Sequence, residues 1–137
     1  MNKSILLSVV GTIGTVVANA LGGWDAAMQT LLIFMAIDYI SGLTLAGVFK
    51  LSPKSAGGAL ESKAGFRGLI KKGMILLLVL VATQLDIILD QGSLIRTGAI
   101  IAFCANEVIS IVENSGLMGV PIPKILKEAI ELLRTKE

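Results

Sequence analysis

Four long apolar segments dominate the pattern of hydrophobic and polar positions along the chain; short stretches separate the first from the second and the third from the fourth, and a longer basic stretch lies between the second and the third. We predict helices at residues 4–24, 26–49, 73–89 and 94–112. Each approaches the roughly 20 residues that a helix needs to cross a bilayer, although the third is short and the fourth carries charges. The pattern therefore predicts about four transmembrane helices.

A fifth segment, residues 121–137, has a different pattern. Pro121 and Pro123 open it, and apolar residues then recur at helical spacing while charged residues take the other face. This predicts an amphipathic helix of mixed charge. Such a helix could lie on the membrane, pack on a loop or a neighbouring subunit, or form a solvated cap, and the sequence leaves these alternatives open.

The composition is typical of an integral membrane protein. Hydrophobic residues make up 54% of the 137 residues, charged residues 16%, and the mean hydropathy is +0.83. Soluble domains average roughly 25% charged residues. We therefore expect a single domain over residues 1–137: an all-α, oligomeric integral membrane protein, with about four spanning helices and a C-terminal amphipathic helix.

The basic residues predict the orientation. The connection 50–72 contains six bases and the acid Glu61, a net charge of +5; the bases are Lys50, Lys54, Lys63, Arg67, Lys71 and Lys72. Basic loops stay on the cytoplasmic side. We expect this loop and both termini in the cytoplasm, and the chain to cross the membrane several times. Arg96 lies near a helix end and is expected to snorkel outward.

Asp38 interrupts the second apolar segment near its centre. An acid there costs roughly 2.5–3.5 kcal/mol even on the mildest insertion scale, so it should face protein or a water path. Further polar or small positions share faces of the second and fourth helices, and we assign them as facing a pore or an oligomer interface: Asp38, Gly42, Asn106, Glu107, Ser110 and Glu113. If these faces line water, several subunits are needed.

The first helix carries a continuous stripe of small residues, which includes Ser8, Gly11, Thr15, Ala18 and Gly22. In lipid, such stripes let helix backbones approach each other closely. We interpret the stripe as a packing face. It is compatible with contact inside one subunit, with self-association, or with a pore wall.

Catalysis is not expected. The chain has no histidine, so it lacks the usual general base and a common metal ligand, and the single Cys104 excludes a cysteine metal site. Asp38 and Asp86 could suggest an aspartyl protease, but they should lie at different depths. We predict no enzyme activity, no cofactor, no metal and no nucleic-acid partner.

Three motifs, taken in order, resemble the toxin-secretion and phage-lysis holin family. They are Asp38-Tyr39-Ile40-Ser41-Gly42; the segment 62–72, which ends in Lys71-Lys72; and the segment 106–123, which contains Asn106-Glu107, Glu113-Asn114 and Gly119-Val120-Pro121-Ile122-Pro123. The resemblance covers about residues 31–133.

This resemblance implies a bacteriophage holin, which oligomerises in the cytoplasmic (inner) membrane of a bacterial host and releases an endolysin or a large toxin to cause lysis. The partners it implies are copies of the chain itself, membrane lipid and the released cargo. The alternative is a small proton-coupled exporter or ion channel built from four-helix subunits. Exporters of that kind place a glutamate in their first helix, and the first segment here is uncharged.

Overall fold

The computed structural model describes residues 2–135, and all of the regular structure there is helical. Helix α1 spans Lys3–Ala20, α2 spans Ala26–Thr44 and continues as a π-helical turn over Leu45–Phe49, α3 spans Ser62–Leu89, α4 spans Leu94–Leu117 and α5 spans Lys124–Arg134. The predicted all-α class is confirmed. Residues 136 and 137 of the predicted tail lie outside the described part.

Local capping explains several helix ends. Asn2 caps α1, and its side chain accepts a hydrogen bond from the Ser4 amide. The Asp25 side chain caps α2 by accepting from the Met28 amide at 2.9 Å. Between these helices, Gly22 and Gly23 adopt φ values of +92° and +109°, which glycine tolerates best. The result is a tight turn between α1 and α2.

Helix α4 lies at the centre of the fold, because it packs along both α2 and α3 while those two contact each other much less. The apolar core between them contains Met28, Leu31, Met35, Val79, Ile100 and Cys104. Helix α5 packs back on α4 and buries Ile130. Its Ile125 and Leu132 remain exposed, so only part of its apolar face is covered.

Helix α1 stands apart from this bundle. It has no buried residue, and its apolar side chains are largely exposed along its whole length. The four helices α1 to α4 are each long and apolar enough to cross a membrane, as the sequence predicts. Three of them form the core, and the fourth has most of its surface available to lipid or to another protein.

The helix ends differ from the predicted ones. The largest difference is in α3, which begins at Ser62 rather than at residue 73, so the second half of the predicted loop is helical. The sequence prediction begins this span at residue 73 because the bases before it lower the local hydropathy, although the helix itself continues through them. Helix α1 ends at Ala20, before the glycine turn, and α4 continues to Leu117.

Candidate functional site

Three charged side chains from three helices meet inside the bundle. The Lys72 ammonium donates to Oδ2 of Asp38 and to Oε2 of Glu107, each at 2.7 Å. The side chains of Lys72, Asp38 and Glu107 are only 13%, 7% and 6% exposed. We call these three residues the charge cluster; it joins α2, α3 and α4 at one point.

Helix geometry explains why the two acids meet. Asp38 and Glu107 lie about 18 and 20 Å along α2 and α4 from the end at which each helix begins, at 1.5 Å per residue. Those two ends are on the same side of the bundle, because Arg96 near the start of α4 forms an ion pair with Asp25, the residue that caps the start of α2. The acids are therefore at matching depth, and the long Lys72 side chain reaches them from α3.

Neighbouring polar groups complete the contacts of Asp38. The Asn114 amide donates to its Oδ1 at 3.3 Å and to the Ser41 hydroxyl at 2.9 Å. Close by, the Tyr39 hydroxyl donates to the Gly65 carbonyl at 3.2 Å, and its ring lies against Gly68. These contacts join residues of all three sequence motifs at the same place.

The charge cluster borders a cleft of about 220 Å³ between α2, α3 and the 50–61 loop. Asp38, Lys72 and Glu107 lie at one part of its wall, and Ser52 and Glu61 of the loop lie at another. Two carboxylates oppose one ammonium in the cluster. Such a group favours the arrangement in which the three helices bring these side chains together, because any other arrangement leaves a buried charge without its partner.

A second ionic site, which we call the Arg96 clamp, lies at the other end of the bundle. Arg96 is 3% exposed. Its guanidinium donates to the carbonyls of Leu21 and Gly23 and forms an ion pair with Asp25 at 2.7 Å. Any side chain at Gly22 would collide with it. The guanidinium is thus buried against the α1–α2 turn, which differs from the predicted outward snorkelling.

Two acids, Asp25 and Asp86, lie at the same end of the bundle as the Arg96 clamp. The hydrogen bond from Arg96 holds the pKa of the Asp25 carboxyl below its ordinary value of 3.8. Because that pKa is lowered on folding, the carboxylate stabilises the fold above its unfolded pKa and loses this contribution as the pH falls through the native pKa. The Asp86 carboxylate accepts from the amides of Ile95 and Arg96 at 2.8 Å and so caps α4.

The other predicted site residues fall in different environments. Asn106 and Glu113 are exposed on a face of α4 that points away from the core, whereas Gly42 and Ser110 are half-buried. On α1, Ser8, Gly11 and Thr15 are exposed, Ala18 is half-buried and Gly22 lies against Arg96. Of the predicted basic loop, Lys50, Lys54, Lys63, Arg67 and Lys71 are exposed, and only Lys72 turns inward.

Sequence reasoning missed four residues of these sites. Lys72 was assigned to the cytoplasmic loop, and Asn114, Asp25 and Asp86 were assigned no contacts. One signal was available for Lys72: Asp38 and Glu107 are acids inside apolar segments, and buried acids are paired with bases. For the Arg96 clamp no pattern in the sequence identifies the partner, because its contacts span more than 70 positions.

These features define a small helical membrane protein whose spanning helices are tied together by buried charges. The chain belongs to the bacteriophage holin family, whose model matches residues 15–135. The suspected resemblance is therefore confirmed. Membership of this family suggests a role in membrane permeabilisation.

Relatives cover most of the chain. An uncharacterized 14.9 kDa protein of Clostridium perfringens is 39% identical over 127 residues, which is 92% of this chain and 90% of that protein. An uncharacterized protein of Listeria innocua is also 39% identical, over 90% of this chain and 82% of its own length. A protein of Bacillus phage phi105 described as a probable holin is 28% identical, over 79% of this chain and 74% of that protein. No solved structure matches the chain.

Proposed function

We propose that this chain is a holin that accumulates in the bacterial cytoplasmic membrane, assembles with copies of itself, and opens lesions through which an endolysin or a large toxin passes. Family membership and the phage relative support the class. The charge cluster and the Arg96 clamp give each subunit a defined fold before assembly.

Two exposed polar residues on α4 support the proposed assembly of subunits. Asn106 and Glu113 are exposed outside the core although they belong to a spanning helix. Polar and charged groups facing lipid are costly, so they need a polar partner or water. A neighbouring subunit or an aqueous lumen supplies either one. We therefore assign the face of α4 that contains Asn106 and Glu113 to a subunit contact or a pore wall.

Helix α1 offers a second assembly surface. The Ser8 and Thr15 hydroxyls donate to carbonyls one turn back, at 2.9 Å each. Their polar groups are therefore satisfied inside α1, and the stripe presents a narrow, smooth surface suited to close helix contact.

The proposed orientation places Lys3 and the 50–61 loop in the cytoplasm and the two tight turns outside. The turns carry Asp25 and Asp90, while the loop side carries the basic excess. Lysine and arginine near span ends set the orientation of short loops, whereas acids contribute little. Both termini are then cytoplasmic.

The charge cluster favours one other function, a small exporter or ion channel of four-helix subunits. Ionisable residues inside a membrane frequently mark ion paths, and this cluster borders a cleft that extends to the loop. Such a protein moves ions or small solutes and does not pass a folded enzyme.

Endolysin release distinguishes the two functions. The chain is produced together with an endolysin that lacks its own export signal, and lysis and membrane potential are followed over time. We expect abrupt lysis, and none when a catalytically inactive endolysin is used. Depolarisation with the endolysin retained inside would contradict the holin function and favour the channel or exporter.

A matched pair of variants tests the assigned face of α4. Glu113→Leu removes its charge, whereas Val112→Leu changes the adjacent residue by one methylene. We expect Glu113→Leu to delay or abolish lysis at equal membrane abundance and Val112→Leu to lyse normally. Equal lysis times would remove this face from the proposed mechanism.

A further inference from the structure

The first turns of α3 carry a stripe of bases that the charge cluster does not use. Lys63, Arg67 and Lys71 follow each other at four-residue spacing, so they lie above one another on one helix face. All three are exposed, and none forms an ion pair among residues 2–135. We infer that this basic stripe binds the phosphate groups of anionic phospholipids.

The position of the stripe along α3 matches the headgroup level. Helix α3 has 28 residues. At 1.5 Å per residue it is about 42 Å long, against about 30 Å of hydrocarbon in a bilayer. Counted back from Leu89, the hydrocarbon ends near residue 70. Lys71 then lies at the boundary, and Lys63 and Arg67 lie among the headgroups.

Apolar side chains flank the stripe. Phe66 and Ile70 are 64% and 53% exposed, and helical spacing places both next to the bases on the surface of α3. An exposed face that combines bases with apolar groups fits a molecule with a phosphate and acyl chains. A soluble anion would gain nothing from Phe66 or Ile70.

Contacts on the opposite side of the first turns of α3 determine that the stripe faces away from the bundle. Gly65 and Gly68 lie against Tyr39, and Lys72 is held by two carboxylates. These contacts prevent the helix from rotating about its axis. The neighbouring lysines 71 and 72 thus have different roles, because Lys72 joins the bundle while Lys71 is presented to the surroundings.

Clusters of bases next to a spanning helix recognise anionic lipid through the same electrostatics. The opposite charges meet at a low-dielectric boundary, where salt screens them less than in bulk water. The inference concerns lipid binding by the single subunit, so it does not depend on whether the assembly releases an endolysin.

The test uses the full-length protein in nanodiscs made of phosphatidylcholine with increasing amounts of phosphatidylglycerol, and native mass spectrometry counts the retained lipids. The variant carries Lys63→Gln, Arg67→Gln and Lys71→Gln. The control carries Lys124→Gln, Lys127→Gln and Arg134→Gln on α5, so it loses the same charge.

We expect each base of the stripe to contribute about fivefold to retention of phosphatidylglycerol, so the triple variant should bind it on the order of 100-fold more weakly. The control should bind like the original chain. Equal retention in all three proteins, or equal loss in both variants, would overturn the inference.

A charge-preserving variant and a soluble competitor distinguish a phospholipid site from the alternatives. A Lys63→Arg, Lys71→Arg variant preserves the charges and should retain the lipid, and its loss of binding would contradict a phosphate site. Soluble glycerol phosphate is added as a competitor and should displace little lipid. If it competes as well as phosphatidylglycerol does, the stripe binds free phosphate and the lipid assignment is wrong.

Discussion

At the scale of single residues, Lys72 is the part of the charge cluster whose loss should matter most. Lys72→Met keeps the length of the side chain but leaves Asp38 and Glu107 buried without a cation. Removing one partner of a buried ion pair costs about 3–5 kcal/mol. We expect that loss in reversible unfolding of the protein in detergent micelles.

The adjacent lysine provides the control. Lys71→Met changes an exposed residue and should alter stability by about 0.5 kcal/mol or less. Adding Asp38→Asn to Lys72→Met removes one of the stranded charges and should recover part of the loss. If the two methionine variants unfold alike, the cluster does not hold the bundle together.

The sequence predicts some members of this site and not others. Asp38 and Glu107 are identifiable because an acid inside an apolar segment has few acceptable environments. Lys72 is not, because the bases around it resemble an ordinary cytoplasmic loop. Which of two neighbouring lysines turns inward depends on the rotation of α3, and that rotation is set by packing rather than by composition.

At the scale of elements, α1 is the spanning helix with the least contact inside the subunit. Gly11→Leu adds bulk to its stripe, where nothing in the subunit lies within 4 Å of an added Cβ. The fold should therefore tolerate the change, while close approach of a second helix is blocked. We expect self-association about tenfold weaker, equivalent to about 1.4 kcal/mol, with membrane insertion unchanged.

Chemical cross-linking in membranes measures this association. Ile13→Phe serves as the control, because it adds bulk to the opposite face of α1 and should leave the oligomers intact. The stripe would lose its assigned role if Gly11→Leu gave oligomers of the original size and amount, or if both variants were equally impaired.

At the scale of the whole molecule, the proposed orientation can be tested with single cysteines. In a Cys104→Ser background, Gln91→Cys lies in the turn between α3 and α4, and Lys54→Cys lies in the 50–61 loop. Both positions are exposed. We expect a membrane-impermeant maleimide to label Gln91→Cys in intact cells and Lys54→Cys only after permeabilisation, and the reverse result would invert the topology.

The overall architecture follows from the sequence more readily than its internal arrangement does. Hydropathy predicts the four apolar helices. It does not predict that α4 lies between α2 and α3 while α1 stays outside the core, since all four segments are apolar enough to be buried or to face lipid.

The Arg96 clamp has a consequence for how the chain is synthesised. The guanidinium binds the turn between α1 and α2, which leaves the ribosome more than 70 residues earlier. During that interval the turn lacks the arginine that binds its carbonyls and Asp25 in the folded subunit. These contacts can form only after the start of α4 has been synthesised, so the ionic link between the first turn and the rest of the subunit is completed late in translation.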